Sequence, residues 1–137
     1  MAMEVQSSEA VEIRTSEDVI DARQCARRLA LKVGFSLVDQ TKIVTASSEL
    51  ARNLLLYGGG GVVTGEIVRN GFRSGVRLTF EDQGPGIPDV ELALKDGYTS
   101  GSGMGLGLGG AKRLSNEFEI DTAPGRGTRV TIIRWKT

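Results

Sequence analysis

Apolar residues recur with helical periodicity in two long stretches of the first half of the chain. The first stretch predicts a helix that Thr15 or Ser16 caps at its start and that Gly34 ends. Its apolar stripe comprises Val19, Ala22, Ala26, Leu29, Ala30 and Val33. Its other faces carry basic residues that form either a solvated surface or a docking surface, namely Arg23, Arg27, Arg28 and Lys32.

The second stretch predicts a helix from Leu37 to Tyr57, with Ser36 as a suitable N-cap. Glu49 and Asn53 lie one turn apart in it, and therefore on the same face, just outside the buried arc. The glycines at 58–61 end the helix and form a loop. The buried arc comprises Ile43, Val44, Ser47, Leu50, Ala51, Leu54 and Leu55.

Shorter stretches of alternating polarity predict strands in the rest of the chain. One strand precedes the first helix at 9–15, and four more form two hairpins, 62–69 with 76–81 and 117–122 with 128–135. The first hairpin turns around Asn70-Gly71 and Ser74-Gly75, and the second turns at 124–127. Two shorter helices are predicted, one at 89–96 and one that ends near Ser115.

This order of elements predicts the α/β class, as a two-layer sandwich with helices on one face of a mixed, largely antiparallel sheet. The length of 137 residues predicts a single domain over 1–137. The 17 basic and 17 acidic side chains cancel, which predicts no binding to nucleic acid and none to an anionic membrane. No apolar run approaches the ~20 residues that span a bilayer, so we expect a cytoplasmic protein.

Histidine is absent, which excludes His-based triads and phosphohistidine chemistry and leaves proton transfer to Asp, Glu, Lys or Tyr. Cys25 is the single cysteine, so the chain has no internal disulfide and no Cys-based metal site. We expect Cys25 either to pack as a small side chain or to lie half exposed.

Glycine is concentrated between Gly97 and Gly110, which hold seven of the chain's 19 glycines. Such a loop either lets the backbone approach a phosphate closely or is a flexible linker. The apolar residues Met104, Leu106 and Leu108 favour a loop that packs down when a ligand binds. The dinucleotide fingerprint is rejected because no strand precedes the loop, and the P-loop is rejected because no Gly-Lys-Ser/Thr ends it.

A second glycine box, from Asp82 to Ile87, directly follows a predicted strand, and Gly127-Thr128 enters the last one. Taken with the Glu49–Asn53 pair and the loop 101–108, these four boxes resemble, in the same order, the ATP-binding Bergerat fold of the GHKL superfamily. That superfamily includes gyrase, Hsp90, histidine kinases and MutL. The resemblance covers nearly the whole chain.

A compact chain without histidine resembles, within the superfamily, the bacterial serine/threonine kinases of partner-switching pathways, and most of all the switch kinases of stressosomes. The resemblance rests on the runs 48–53, 81–89 and 112–114 and on the ending near Trp135. Pro85 favours this group over the anti-sigma kinases, which more often lack a proline there.

The resemblance implies that the chain binds ATP and Mg²⁺. Glu49 would accept the proton of the attacking serine hydroxyl or orient that hydroxyl, and Asn53 would offer its amide oxygen to Mg²⁺. Asp82 would read the adenine amino group, with Thr128 nearby, directly or through water. The implied nucleotide-binding residues are Asn53, Asp82, Gly84, Gly86, Ile87, Gly101, Ser102, Gly103, Met104, Gly105, Leu106, Gly107, Leu108 and Thr128.

In that reading the loop from Gly101 to Leu108 is a lid over the phosphates, and Lys112 and Arg113 are candidates for contact with the γ-phosphate. The implied partners are STAS-domain proteins of a stressosome as substrates, and a downstream phosphatase or other effector bound by the released kinase. Two alternatives stay open, a non-catalytic ATP-dependent binding module and an anti-sigma factor that sequesters a sigma subunit. A homodimer also stays open.

Overall fold

The computed structural model describes residues 3–87, 89–94 and 107–137, in which a first strand is followed by alternating pairs of helices and strands. In chain order the elements are β1 (Glu4–Ile13), α1 (Ser16–Val33), α2 (Leu37–Tyr57), β2 (Gly61–Asn70), β3 (Arg73–Asp82), α3 (Val90–Ala93), α4 (Gly107–Arg113), β4 (Glu117–Thr122) and β5 (Thr128–Trp135).

The five strands form one sheet in the order β1-β2-β3-β5-β4, and each neighbouring pair is antiparallel. The sheet predicted as largely antiparallel is therefore antiparallel throughout the described strands. The helices α1, α2 and α4 pack on one face of it, and alternate residues of the strands point into the core between the two layers. The two-layer α/β class is confirmed.

The bounds of α2, β4 and β5 are those predicted from the sequence, and α1 ends at Gly34 as predicted. The strand β1 begins at Glu4 rather than at residue 9, because an edge strand with few inward apolar residues gives a weak sequence signal. Within the described residues, α3 is shorter than 89–96 and α4 ends at Arg113, short of Ser115.

The predicted turn around Ser74-Gly75 is wrong. The β2–β3 hairpin turns at Gly71-Phe72 alone, with φ 64° at Gly71, and Ser74 and Gly75 lie inside β3. Glycine is needed at 75 for another reason, because a Cβ there would lie 2.8 Å from Cε3 of Trp135 on the neighbouring strand. A close approach between strands was thus mistaken for a turn signal.

The face of the sheet away from the helices carries a small cluster around Trp135, which packs with Val68, Ile133 and Met3. Arg73 stacks on the indole at 4.3 Å, and the indole Nε1–H donates to Glu117 at 2.6 Å. Trp135 is therefore buried although it lies on the outer face.

A buried ion pair joins α2 to β5 on the helix side of the sheet. Arg134 donates to Oδ1 of Asp39 from Nη2 at 2.7 Å and from Nε at 3.2 Å, and from Nη1 to the Leu114 carbonyl at the end of α4 at 2.9 Å. Thr137 donates to the other carboxylate oxygen of Asp39. These donors, with Arg134 first, hold the pKa of Asp39 below its usual value.

Cys25 is fully buried between α1 and β1, as expected of a packed side chain, and its thiol donates to Oε1 of Glu9 at 2.8 Å. Burial and this hydrogen bond raise the pKa of Cys25 to about 12. Among the described residues, no helix combines the length and the apolar character needed to span a bilayer.

Candidate functional site

Asp82 is the last residue of β3 and points to the helix side of the sheet, since Phe80, two residues earlier, lies in the core. Its Oδ1 accepts a hydrogen bond from the Gly84 amide at 2.9 Å, which bends the chain sharply after the strand. In the described parts of the chain, Oδ2 of this half-buried carboxylate accepts no hydrogen bond, and it lies beside Gly58.

The C-terminal end of α2 lies directly against Asp82. A Cβ at Gly58, the C-cap of α2, would lie 2.6 Å from both Cγ and Oδ2 of Asp82. A Cβ at Gly84 would lie 2.9 Å from the Cα of Gly58. Glycine at both positions is what allows the helix end and the strand end to meet, so the helix that carries Glu49 and Asn53 ends against the second glycine box.

Glu49 and Asn53 lie on the last turns of α2 before this corner. Arg52 donates from Nη1 to Oε1 of Glu49 at 3.3 Å, and the Glu49 side chain is 14% exposed. The side chain of Asn53 has no hydrogen-bond partner among the described residues, so its amide oxygen is available to a ligand.

The donor set fits Mg²⁺ better than it fits a metal held in a protein cage. Nowhere in the described parts of the chain do three or more His, Cys, Asp or Glu side chains cluster as metal ligands. Magnesium keeps several waters and is commonly bound by one or two protein oxygens plus substrate phosphates, which is what an available amide oxygen at Asn53 offers.

The Gly86-Ile87 end of the second box is fixed to the β4–β5 hairpin. Gly86 has φ 80° and lies so close to the Ala123 carbonyl that a Cβ would overlap it. The Ile87 amide donates to Oγ1 of Thr122 at 2.9 Å, and the Ile87 side chain packs against the core. The second box is therefore held on both sides, by α2 and by this hairpin.

Thr128 faces the same side as Asp82, because the two residues are register partners on neighbouring strands. Gly127, with φ 81°, brings its backbone against the Asp82 carbonyl. Thr128 in turn faces Thr122 on β4, and their hydroxyl oxygens are 2.9 Å apart. The sequence prediction included Thr128 but missed Thr122. The one sequence feature that could have indicated Thr122 is its position at the end of β4, across the hairpin from Thr128.

The central part of the glycine loop lies outside the described residues, namely Gly101, Ser102, Gly103, Met104, Gly105 and Leu106. Gly107 starts α4 with φ 51°, and Leu108 is 8% exposed and packs in the core. Lys112, a candidate for the γ-phosphate contact, is exposed on α4. The structure places α4 against α2, the helix that carries Glu49 and Asn53.

An open groove of about 410 Å³ lies at the same end of the sheet and has a polar rim. It is lined by Asp82, Gln83, Gly127 and Thr128 and, towards the outer face, by Glu81, Asp121, Arg126 and Arg129. Asp121 is 3.6 Å from Arg126 and 3.5 Å from Arg129, and these exposed pairs contribute little to stability.

Known proteins resemble this chain over most of its length. Residues 38–137 match the family model described as "Histidine kinase-, DNA gyrase B-, and HSP90-like ATPase". The chain is 45% identical over 125 residues to the serine/threonine-protein kinase RsbT of Bacillus subtilis, covering 91% of this chain and 94% of RsbT. It is 29% identical over 119 residues to an anti-sigma F factor of Thermoanaerobacter, covering 83% and 82% of the two chains.

Two solved structures share the fold. The RsbU and RsbW domains of a Mycobacterium tuberculosis protein superpose with a TM-score of 0.65 at 22% identity, covering 94% of this chain and 32% of that one. The mycobacterial sensor histidine kinase MprB superposes with a TM-score of 0.52 at 21% identity, covering 94% and 97%.

Proposed function

The chain belongs to the histidine kinase-, DNA gyrase B- and HSP90-like ATPase family, and we propose that, as an ATP-dependent serine/threonine-protein kinase of partner switching, it phosphorylates STAS-domain proteins. The observation that carries the proposal is the corner where α2, with Glu49 and Asn53, ends against Asp82. The 45% identity to the kinase RsbT supports the same activity. We assign the whole chain, 1–137, to one kinase domain acting in the cytoplasm.

The residues at this corner divide the work of phosphoryl transfer. Asp82 accepts a hydrogen bond from the adenine amino group, and the glycines at 84 and 86 let the segment after Asp82 pack closely against Gly58 and Ala123. Asn53 offers its amide oxygen to Mg²⁺, which when bound neutralises charge on the phosphates. Glu49 accepts the proton of the substrate hydroxyl, or orients that hydroxyl, as the γ-phosphoryl group is transferred. The remaining loop residues, Gly101 to Leu108, would cover the phosphates.

The proposed protein substrates are STAS-domain scaffold proteins of a stressosome, and the proposed target of the released kinase is a phosphatase or another effector. The similarity to anti-sigma F factors favours a second candidate, a kinase that also sequesters a sigma subunit. Binding of a sigma subunit to the purified chain in the presence of Mg-ATP would favour this second candidate.

Substitutions at the corner test the kinase proposal, with phosphorylation of a STAS protein and Mg-ATP affinity measured in parallel. Asp82→Ala is expected to abolish nucleotide binding. Asn53→Ala is expected to weaken binding of Mg-ATP. Glu49→Gln is expected to keep Mg-ATP binding and to slow transfer by about 10²–10⁴-fold, the usual contribution of a general base.

Glu66→Gln is the matched control for Glu49→Gln. Like Glu49, Glu66 is a mostly buried carboxylate paired with an arginine: it is 15% exposed and lies 2.8 Å from Arg77. Unlike Glu49, it lies on a strand, β2, and on the outer face of the sheet. Its variant should transfer phosphate at the wild-type rate. A Glu49→Gln variant as active as the wild type would refute the general-base role, and wild-type ATP affinity in Asp82→Ala would refute the adenine assignment.

A further inference from the structure

The hydroxyl of Thr122 contacts three polar groups beneath the proposed adenine site. It is 2.9 Å from the Ile87 amide nitrogen, 3.1 Å from the Gly127 carbonyl oxygen and 2.9 Å from Oγ1 of Thr128. All of these groups belong to the second glycine box or to the β4–β5 hairpin. Thr122 itself lies on β4, one strand further from Asp82 than Thr128 does.

The direction of each hydrogen bond follows from what each group can do. An amide N–H only donates and a carbonyl only accepts, so Thr122 accepts from Ile87 and must donate its single proton to Gly127. The contact with Thr128 can then be made only if Thr128 donates to the remaining lone pair of Thr122. This is the one assignment that satisfies all three contacts at once, and it uses every bonding position of the Thr122 hydroxyl.

This assignment determines what the site presents to a base. The proton of Thr128 is engaged by Thr122, so its oxygen offers only lone pairs to the site. Asp82, its register partner, is a carboxylate and also only accepts, with Oδ1 already bound to Gly84. The two side chains therefore form an edge of acceptors, complementary to an exocyclic amino group, whose two N–H bonds can each meet one acceptor.

We propose that Thr122 is a specificity-determining positioning residue, which through Thr128 makes the site select a purine with an amino group at position 6 over one with a carbonyl there. The selected class is adenine nucleotides, and the rejected class is inosine and guanine nucleotides, whose 6-carbonyl oxygen would face the two acceptors while their N1–H donor lies one ring position away. This inference rests on the proposed nucleotide site and deepens it, since it names a residue that does not touch the base.

The test compares dissociation constants for Mg-ATP and Mg-ITP by calorimetry, because ITP has a carbonyl where ATP has the amino group. Wild-type protein is expected to prefer ATP by roughly a hundredfold, the size expected when a hydrogen bond to a charged acceptor is lost. Thr122→Val releases the Thr128 hydroxyl to donate to a carbonyl, so the preference should fall about tenfold. Thr122→Ser keeps the hydroxyl and should restore the wild-type preference.

Thr79→Val is the control for removal of a strand threonine. Thr79 lies on β3 and faces the outer side of the sheet, so its variant should keep the wild-type ratio of the two constants. The ratio separates specificity from stability, since a purely structural loss would weaken binding of both nucleotides equally.

Two results would overturn the inference while leaving the nucleotide site in place: equal affinity of the wild type for ATP and ITP, or an unchanged ratio in a folded Thr122→Val variant. The comparison of ATP with ITP needs only the wild-type protein, so it tests the inference even if Thr122→Val does not fold. Failure of the wild type to bind either nucleotide would overturn the proposed function together with the inference.

Discussion

Gly58 ends α2 in an ordinary right-handed conformation, with φ −92° and ψ −10°, which any residue can adopt. What requires glycine there is space, because a Cβ would lie 2.6 Å from the carboxylate of Asp82. The neighbouring Gly59 is the reverse case, with φ 75° and nothing within 4 Å of a Cβ. The two adjacent glycines thus serve different purposes, one for contact and one for backbone shape.

This contrast gives a prediction at the residue scale. Gly58→Ala should displace Asp82 and weaken Mg-ATP binding by roughly tenfold or more, since a hydrogen bond to a charged group contributes about 1.5–3 kcal/mol. Gly59→Ala should keep the affinity and lower the free energy of unfolding by about 1–2 kcal/mol, from the left-handed backbone. Calorimetry and denaturant unfolding measure the two quantities, and wild-type affinity in Gly58→Ala would contradict the role given to Gly58.

At the scale of single residues, the sequence identified candidates whose role follows from their position relative to predicted strands and glycines. Asp82 could be singled out because it closes a strand and is followed by two glycines. Thr122 and Arg52 could not, because their roles depend on contacts that only the folded register and rotamers create. The sequence thus nominated candidate site residues, such as Asp82 and Thr128, that the fold brings to one end of the sheet, but it did not indicate the residues that hold them in place.

At the scale of elements, periodicity and caps defined the long helices well. Ser36 caps α2 by accepting from the Asp39 amide at 3.2 Å, and Gly34 ends α1 with φ 90°. Edge strand β1 was predicted too short because its first half has a single apolar residue, Val5, and shows no alternating pattern. The Ser74-Gly75 turn was predicted wrongly because glycine marks close strand approach as well as turns.

The ion pair between Asp39 and Arg134 joins three elements, and its loss is a prediction at this scale. The two side chains are only 8% and 10% exposed, so Arg134→Met leaves a buried, unpaired carboxylate and should lower the free energy of unfolding by about 3–5 kcal/mol. Arg77→Met on the outer face is the matched control, because its pair with Glu66 is less buried, at 25% and 15% exposed, and its loss should cost less than the loss of the pair with Asp39.

The double variant Asp39→Leu with Arg134→Met should recover most of the stability, because no buried charge is left without a partner. Denaturant unfolding of the two single variants and the double variant provides the cycle. If Arg134→Met were no more destabilising than Arg77→Met, the pair would not join the elements as described.

At the scale of the whole molecule, helices cover one face of the sheet in the described parts of the chain, and Cys25, buried beneath them, is expected to make stability fall at high pH. Because the pKa of Cys25 is raised to about 12 from a usual value of 9.0, the folded state keeps the thiol proton where the unfolded state loses it. Its contribution is complete below pH 9 and is lost as the pH rises towards 12.

The free energy of unfolding should therefore fall above pH 9 by on the order of 1 kcal/mol per pH unit from this group. Cys25→Ala should show a shallower fall over the same range, although it is less stable near neutral pH because a buried side chain has been shortened. Denaturant unfolding from pH 8 to pH 11 measures both curves. Parallel curves for the two proteins would refute the contribution of Cys25.

Trp135 is the only tryptophan of the chain, and its position decides what intrinsic fluorescence can report. It pairs with Gly75, whereas Asp82 lies seven residues further along β3, which at ~3.3 Å per residue is about 23 Å. The indole is buried on the outer face, against Arg73 and Glu117. The fluorescence emission of Trp135 should therefore change when the sheet unfolds and change little when a nucleotide binds. Intrinsic fluorescence thus reports unfolding of the native chain, whereas nucleotide binding needs an added fluorophore.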